Sequence, residues 1–161
     1  MKRLLPLLLL SGCGEFRSGD FHRTVVNGPS CTNEVNYGTY VDYVTEFKDL
    51  VEQATTIRPT DRIRSITTDK QEGNVLGTCY LWYQQNGNIV DAKISIDTDL
   101  ILSGKVVERI VVFHELGHCI MNDLHIEDET DLMYPYIALD ITEDEANTRI
   151  EHYMVRLSEG E

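Results

Sequence analysis

The segment 105–122 constrains the fold of this chain more than any other part of the sequence. Its apolar side chains fall on nearly every side of a helix, and they are Val106, Val107, Ile110, Val111, Val112, Phe113, Leu116, Ile120 and Met121. A helix that is apolar all round lies in the centre of a domain. Polar groups buried in such a helix cost free energy unless they are paired or bind a ligand. The sequence therefore predicts a buried central helix whose few polar residues have a specific role.

These polar residues form the pattern His-Glu-Leu-Gly-His, from His114 to His118. Residues four apart share a helix face, so both imidazoles can reach one metal ion, whereas Glu115 points about 100° away. That offset suits a carboxylate that contacts a metal-bound water rather than the ion. A catalytic zinc ion takes three protein ligands and keeps one open position. His125, seven residues after His118, is the predicted third ligand if the helix ends near Asn122, which tolerates a left-handed backbone.

Weaker patterns on both sides of this helix predict the rest of an α+β domain. Apolar residues at three- and four-residue spacing predict an amphipathic helix over 37–54. Strand character marks three segments, 62–68, 75–84 and 89–97. Asn86-Gly87-Asn88 between the last two is a hairpin signal. A final helix is predicted to begin at Thr142, because Glu145 three residues later completes the pattern of a capping box.

The N-terminus predicts export and a lipid anchor. Lys2 and Arg3 precede a short apolar stretch that ends in Leu-Ser-Gly-Cys, which resembles the lipobox of bacterial lipoproteins. The resemblance implies cleavage after residue 12 and a diacylglycerol on Cys13. The expected organisation is a signal peptide over 1–12, a lipidated tether over 13–36 and one domain over 37–161. We therefore expect the chain at a bacterial cell envelope, on the outer membrane or the cell surface.

Export would place the remaining cysteines in an oxidising compartment. Cys31, Cys79 and Cys119 allow one disulfide and one leftover thiol, and three pairings remain open. Cys119 adjoins His118 but lies on a different side of the helix, which makes it a poor metal ligand. Cys31 stays open as a thiolate plug on the metal.

The charge balance excludes partners that require a basic surface. The chain has 14 Lys and Arg against 27 Asp and Glu, a net charge of −13, so it does not hold nucleic acids or anionic membranes through charge.

Asp97 and Asp99 are either calcium ligands or, the preferred interpretation, an Asx turn. The acidic loop 123–131 is interpreted as solvated, with an alternative ligand or structural calcium as the competing interpretation. Asp128 is a candidate acceptor that would orient His125.

The central motif, the third histidine and the following Leu-Met-Tyr-Pro resemble the metzincin clan of zinc endopeptidases, in particular its matrixin-like members. The resemblance implies a zincin-like α+β fold with a small twisted mixed sheet, a central zinc helix and a C-terminal helix. It implies one catalytic zinc ion on His114, His118 and His125. It also implies a Met-turn at Met133, which packs beneath the metal without binding it. In the family signature the third histidine lies six residues after the second, and a Gly marks the helix end. Here the third histidine lies seven residues after the second, so Leu124 takes the usual ligand position.

The same resemblance implies a zinc-dependent endopeptidase, with Glu115 as general base toward a zinc-activated water. The Tyr ligand of some clan members would fall at Pro135, so no Tyr ligand is expected. Zincin substrates pair in extended form with an edge strand, and the strand 89–97 is the expected partner. We expect a monomer whose partners are peptide or protein substrates and a membrane reached through Cys13. The alternative is a zinc-binding or partner-binding envelope lipoprotein without turnover, although such a site does not need Glu115.

Overall fold

A computed structural model describes residues 35–56, 59, 62–83 and 87–160, together with the backbone of 23–25. The predicted signal peptide, Cys13 and Cys31 lie outside the described residues. The strands are β1 (Arg23–Val25), β2 (Ile63–Asp69), β3 (Gly77–Tyr83) and β4 (Ile89–Asp97). The helices are α1 (Val41–Ala54), α2 (Lys105–Leu116) and α3 (Glu143–Glu159), with 3-10 turns at Gly38–Tyr40 and Thr98–Ser103. The chain is therefore α+β, as predicted.

The strands form one mixed sheet in the order β1-β3-β4-β2. β3 and β4 are antiparallel, and Gly87 in their connection has a φ of 83°, which glycine adopts without strain. β2 runs parallel to β4 on its other side. β1, which lies inside the segment for which the sequence predicts a tether, pairs in parallel with β3 at Leu81–Tyr83. The three predicted strands are thus confirmed, and a fourth short strand extends the sheet.

The central position of α2 is confirmed. Nearly all of its residues after the first turn are buried, and it packs against both α1 and α3. The ring of Phe113 on α2 meets that of Phe47 on α1 edge-on at 5.3 Å, and Phe47 stacks on Tyr153 of α3 at 6.2 Å. The opposite side of α2 faces β3 and β4. Because sheet and helices enclose it from both sides, α2 presents its polar residues at a rigid place in the core.

The end of α2 differs from a regular helix. After Leu116 the chain continues through a π-helical turn, Gly117–Met121, and stops at Asn122, whose φ of 62° is left-handed. The N–H of Asn122 donates to the carbonyl of Gly117, five residues earlier. The predicted left-handed end at Asn122 is confirmed. A π turn holds about one residue more than an α turn, which shifts the position of every residue that follows.

Two local predictions are confirmed by their hydrogen bonds. The Thr142 hydroxyl accepts from the N–H of Glu145 at 3.3 Å, and the Glu145 carboxylate accepts from the N–H of Thr142 at 2.9 Å, which completes the capping box. Asp97 accepts from the N–H of Asp99 at 2.7 Å, the expected Asx turn. The ammonium group of Lys70 contacts the carboxylates of both aspartates.

No helix in the described part of the chain is long and apolar enough to cross a membrane.

Candidate metal centre

The three predicted histidine ligands converge. The Nε2 atoms of His118 and His125 lie 3.0 Å apart, those of His114 and His125 3.0 Å, and those of His114 and His118 3.2 Å. His114 and His118 are buried and His125 is partly buried. Within the described residues, this is the only group of three or more His, Cys, Asp or Glu side chains that could hold a metal ion. The site of the sequence prediction therefore exists as a cluster in space.

The partners of the other ring nitrogens show what kind of ligand this cluster favours. Nδ1 of His114 lies 2.7 Å from the carbonyl of Leu132, and Nδ1 of His118 lies 2.6 Å from the carbonyl of Asp123. A carbonyl only accepts, so each Nδ1 carries the proton and each neutral ring presents an Nε2 lone pair to the centre. The two facing lone pairs cannot hydrogen-bond to each other. A cation between them removes their repulsion, and the cluster is therefore suited to a metal ion.

Burial keeps these imidazoles neutral. It lowers the pKa of His114 to about 3, with the neighbouring His118 as the next contribution, and it lowers the pKa of His118 to about 4. Metal ligation requires neutral imidazole. At neutral pH the folded chain therefore presents these two ligands without having to lose protons from them.

The seven-residue spacing from His118 to His125 includes the end of the π-helical turn after α2. The side chain of Leu124 is 65% exposed, whereas His125 points at the other two histidines. The chain leaves the π turn at left-handed Asn122, and the loop that follows returns the imidazole of His125 to the cluster. The next residue along, Ile126, donates its N–H to the carbonyl of Met133 at 3.2 Å. This bond ties the loop of the third histidine to the segment around Met133.

Glu115 lies beside the cluster with its carboxyl group directed at the start of β3. It is buried, and it accepts a hydrogen bond from the backbone N–H of Cys79. Burial raises the pKa of Glu115 to about 8, and the bond from Cys79 opposes this rise. A Cβ atom at Gly77 would lie 2.7 Å from Cγ of Glu115, so only glycine leaves room for this carboxyl group. The sequence offered no signal for either contact, because β3 and α2 are far apart along the chain.

Met133, for which the sequence predicts a Met-turn, packs against the turn that carries His118. Its side chain is fully buried, and a Cβ atom at Gly117 would lie 2.5 Å from its sulfur. Gly117 is the fourth residue of the His-Glu-Leu-Gly-His pattern. The close approach of Met133 to the ligand-bearing turn therefore depends on a residue without a side chain at that place.

A disulfide between Cys79 and Cys119 joins β3 to the turn that follows α2. It decides among the pairings that the sequence left open for the described cysteines. It also confirms that Cys119 is not a metal ligand, since its sulfur is bonded on the side of the helix that faces the sheet. Cys79 also donates its amide N–H to Glu115, and Cys119 directly follows His118, so the bridge joins β3 to the histidine cluster at these residues.

The acidic loop was predicted to be solvated, and for Asp131 this prediction is wrong. Asp131 is fully buried and accepts from the N–H of Met133 at 2.7 Å and from Nε of Arg156 at 3.0 Å. The proposed role of Asp128 as an acceptor for His125 is not observed either. Asp128 instead accepts from the N–H and hydroxyl of Thr130, in a local turn. Buried carboxylates require strong donors, and a guanidinium from α3 is not visible in the local sequence.

A cleft of about 460 Å³ opens onto the histidines and Glu115. Its apolar lining comes from Val75, Leu76, Val111, Pro135, Tyr136 and Ile137. The strand beside it is β3, and the prediction that 89–97 pairs with a substrate is wrong. β4 lies between β3 and β2, so both of its edges are already hydrogen-bonded. Residues 77–79 pair with β4 on one side, whereas on the other side β1 covers β3 only from Leu81 onward, and in the described part of the chain no strand lies beside residues 77–79 on that second side.

Comparison of the chain with models of protein families gives no match, and comparison with curated proteins and with solved structures gives none either. The resemblance to metzincins is therefore neither supported nor contradicted by relatives. Arguments about function depend on the geometry of the site.

The ionisation of these buried groups predicts an optimum in the stability of the metal-free protein. Unfolded imidazoles titrate at about pH 6.5, so below this pH the unfolded chain binds more protons at His114 and His118 than the folded chain does. The free energy of unfolding should therefore decrease as the pH falls from about 6.5 to 4. The folded chain keeps a proton on Glu115 that the unfolded chain loses at the ordinary pKa of 4.5, so this group lowers stability from there up to about pH 8. Below about pH 6.5 the two histidines outweigh it, and above about pH 6.5 stability should decrease toward about pH 8.

Urea unfolding in the presence of a chelator, at about pH 5, 6.5 and 8, measures this profile. The variant Glu115→Gln should lose the decrease on the alkaline side and keep the decrease on the acidic side. A wild-type profile that is flat from about pH 6.5 to 8 would show that Glu115 ionises normally in the fold.

Proposed function

We propose that this chain is a zinc-dependent endopeptidase with a metzincin-like fold. The observation that carries the proposal is the convergence of three imidazoles next to a buried glutamate, in a cleft bordered by an open strand edge. A structural zinc site fills all four positions with protein ligands. Here the described residues supply three histidines, and all three line the cleft.

The donor set fits zinc. Tetrahedral zinc with Zn–N distances of 2.0–2.1 Å separates its ligand nitrogens by about 3.3 Å, close to the 3.0–3.2 Å between the Nε2 atoms of this site. His114, His118 and His125 would hold the ion. When bound, zinc supplies the activation of a water and the polarisation of the scissile carbonyl, and its charge lowers the pKa of Glu115 in the same cleft.

Residues of the chain itself would supply proton transfer and substrate binding. Glu115, once ionised, would accept a proton from the attacking water and later return it to the leaving amine. The N–H of Cys79 holds the carboxylate of Glu115 in place. Because the N–H of Cys79 already donates to Glu115, only the remaining backbone groups of the open edge at residues 77–79 offer hydrogen bonds to an extended peptide, and the apolar lining of the cleft receives a side chain. The π turn supports the proposal, because it lies within the spacing that is one residue longer than in the metzincin signature and the three histidines still converge.

The lipobox-like sequence at Cys13 extends the proposal to location. A lipid on Cys13 would hold the enzyme at a bacterial envelope, where peptide or protein substrates would reach it. Radiolabelled palmitate incorporated by the full chain, and lost in Cys13→Ser, would test this part.

Zinc stoichiometry, measured by elemental mass spectrometry on the chain from residue 14, tests the metal site. We expect about one zinc per chain, lost or much weakened in His125→Ala because two imidazoles do not hold the ion well. Leu124→Ala is the matched control, since this exposed neighbour takes the usual ligand position of the family but points away from the cluster. A peptide-library digest then measures turnover.

The outcomes separate the proposal from its competitor. No zinc in folded wild-type protein would refute the enzyme and its metal site together. One zinc with no peptide cleavage by the wild type would favour the zinc-binding lipoprotein without turnover. Loss of zinc in Leu124→Ala rather than in His125→Ala would show that our assignment of His125 as the third ligand is wrong.

A further inference from the structure

Arg156 on α3 contacts the two loop segments that surround the histidine cluster. Its Nε lies 3.0 Å from Oδ2 of Asp131, and its Nη2 lies 3.4 Å from Oδ1 of the same residue. The same Nη2 lies 3.7 Å from Oδ2 of Asp123. One guanidinium therefore hydrogen-bonds to the carboxylate of Asp131 and lies within ion-pair distance, beyond hydrogen-bond distance, of the carboxylate of Asp123, on the other side of His125 in the sequence.

Each of these segments supplies the backbone acceptor of one histidine ligand. The carbonyl of Leu132, next to Asp131, accepts from Nδ1 of His114 at 2.7 Å. The carbonyl of Asp123 itself accepts from Nδ1 of His118 at 2.6 Å. A histidine ligand is oriented, and its tautomer is selected, by the partner of its other ring nitrogen. The position of both acceptors therefore sets the direction of both Nε2 lone pairs.

The contacts of Arg156 are sheltered from water. The side chain of Asp131 is fully buried, that of Arg156 is 18% exposed and that of Asp123 is 23% exposed. A charged pair in such surroundings is weakly screened, and a planar guanidinium can donate in several fixed directions at once. A point charge such as an ammonium group cannot reproduce this bridging geometry.

From this arrangement we infer that Arg156 is a positioning residue of the metal centre, which holds the 123 and 131–132 segments so that their carbonyls orient His114 and His118. The inference rests on the proposed zinc site. Arg156 contacts neither a ligand side chain nor the cleft, so it acts through the two segments.

A second arginine provides a matched control. Arg109 on α2 also bridges helices through a half-buried ion pair, with Nη2 at 2.6 Å from Glu46 and Nη1 at 2.8 Å from Asn147. Its hydrogen-bond partners lie on α1 and α3, and its guanidinium also lies over the ring of Phe113 on α2 at 4.9 Å, but none of these groups supplies an acceptor to a histidine ligand. Loss of Arg109 should therefore lower the stability of the fold without changing the metal site.

The test compares Arg156→Met, Arg156→Lys and Arg109→Met in the chain from residue 14. Zinc affinity is measured by competition with a chromophoric chelator, and ligand geometry by the visible spectrum of the Co²⁺ form. We expect about 10- to 100-fold weaker zinc binding and an altered cobalt spectrum in Arg156→Met, as for other residues that orient ligands from behind. Arg156→Lys should recover only part of the affinity, and Arg109→Met should bind like the wild type.

The inference is overturned if folded Arg156→Met binds zinc as tightly as the wild type with an unchanged cobalt spectrum. If Arg156→Met does not fold, wild-type affinity in the folded Arg156→Lys variant overturns it instead. Equal weakening in Arg109→Met would assign the effect to general loss of stability and would also contradict it. Absence of zinc binding by the wild type refutes the proposed function itself, which distinguishes the two failures.

Discussion

Replacing Glu115 with Gln is expected to slow peptide hydrolysis by about 10²- to 10⁴-fold, the usual contribution of a general base. The substitution preserves the shape of the side chain in the space left by Gly77, and an amide cannot accept the proton. None of the three ligand imidazoles changes, so one zinc per chain should remain. Initial rates on a peptide that the wild type cleaves, together with the zinc content of each protein, measure both effects.

Glu108→Gln is the matched control for this experiment. Glu108 is a buried glutamate on the same helix, but its carboxylate contacts Lys105 rather than the cleft. It should leave the rate within a fewfold of the wild type. If Glu115→Gln retains the wild-type rate with zinc bound, another group accepts the proton and the assigned role of Glu115 is wrong.

Removing the disulfide through Cys79→Ala together with Cys119→Ala is expected to have the largest effect on stability. The bridge closes a loop with a sequence separation of 40 residues. For a loop of this length, the restriction of the unfolded chain contributes about 4 kcal/mol to the free energy of unfolding. Urea unfolding of the double variant, beside the oxidised wild type, measures the loss.

Removal of the disulfide should also change the geometry of the histidine site, because the bridge holds β3 against the turn that carries His118. The double variant should therefore cleave peptide more slowly even under conditions where it is fully folded. Wild-type protein treated with a strong reductant while unfolded, and then refolded, serves as the control for the two new side chains. A double variant as stable as the wild type would contradict the clamping role of this disulfide.

The sequence alone identified most of the local structure around the site. Hydrophobic periodicity predicted the central helix, the spacing of His114 and His118 placed both rings on one face, and Asn122 marked the helix end. These features depend on neighbours within a few residues, for which the geometry of one helix is sufficient. His125 was also predicted, although its spacing gave no indication of the π turn that brings it to the cluster.

Contacts between distant elements were predicted poorly or not at all. The strand beside the cleft was predicted to be 89–97, and it is β3, because the parallel pairing of β2 covers the other edge of β4. Asp131 was expected in water and is buried against Arg156. Neither result could be obtained from residue spacing, since each depends on which elements pack together.

What the sequence by itself determined is therefore the set of groups that can bind a metal and their order along one helix. Only the tertiary structure decided which strand lines the cleft, which cysteines pair and which carbonyls hold the imidazoles in position. The physical reason is the range of the forces involved. Helix geometry relates residues three and four apart, whereas sheet pairing and the burial of charge bring together residues tens of positions apart, such as Cys79 with Cys119 and Asp131 with Arg156.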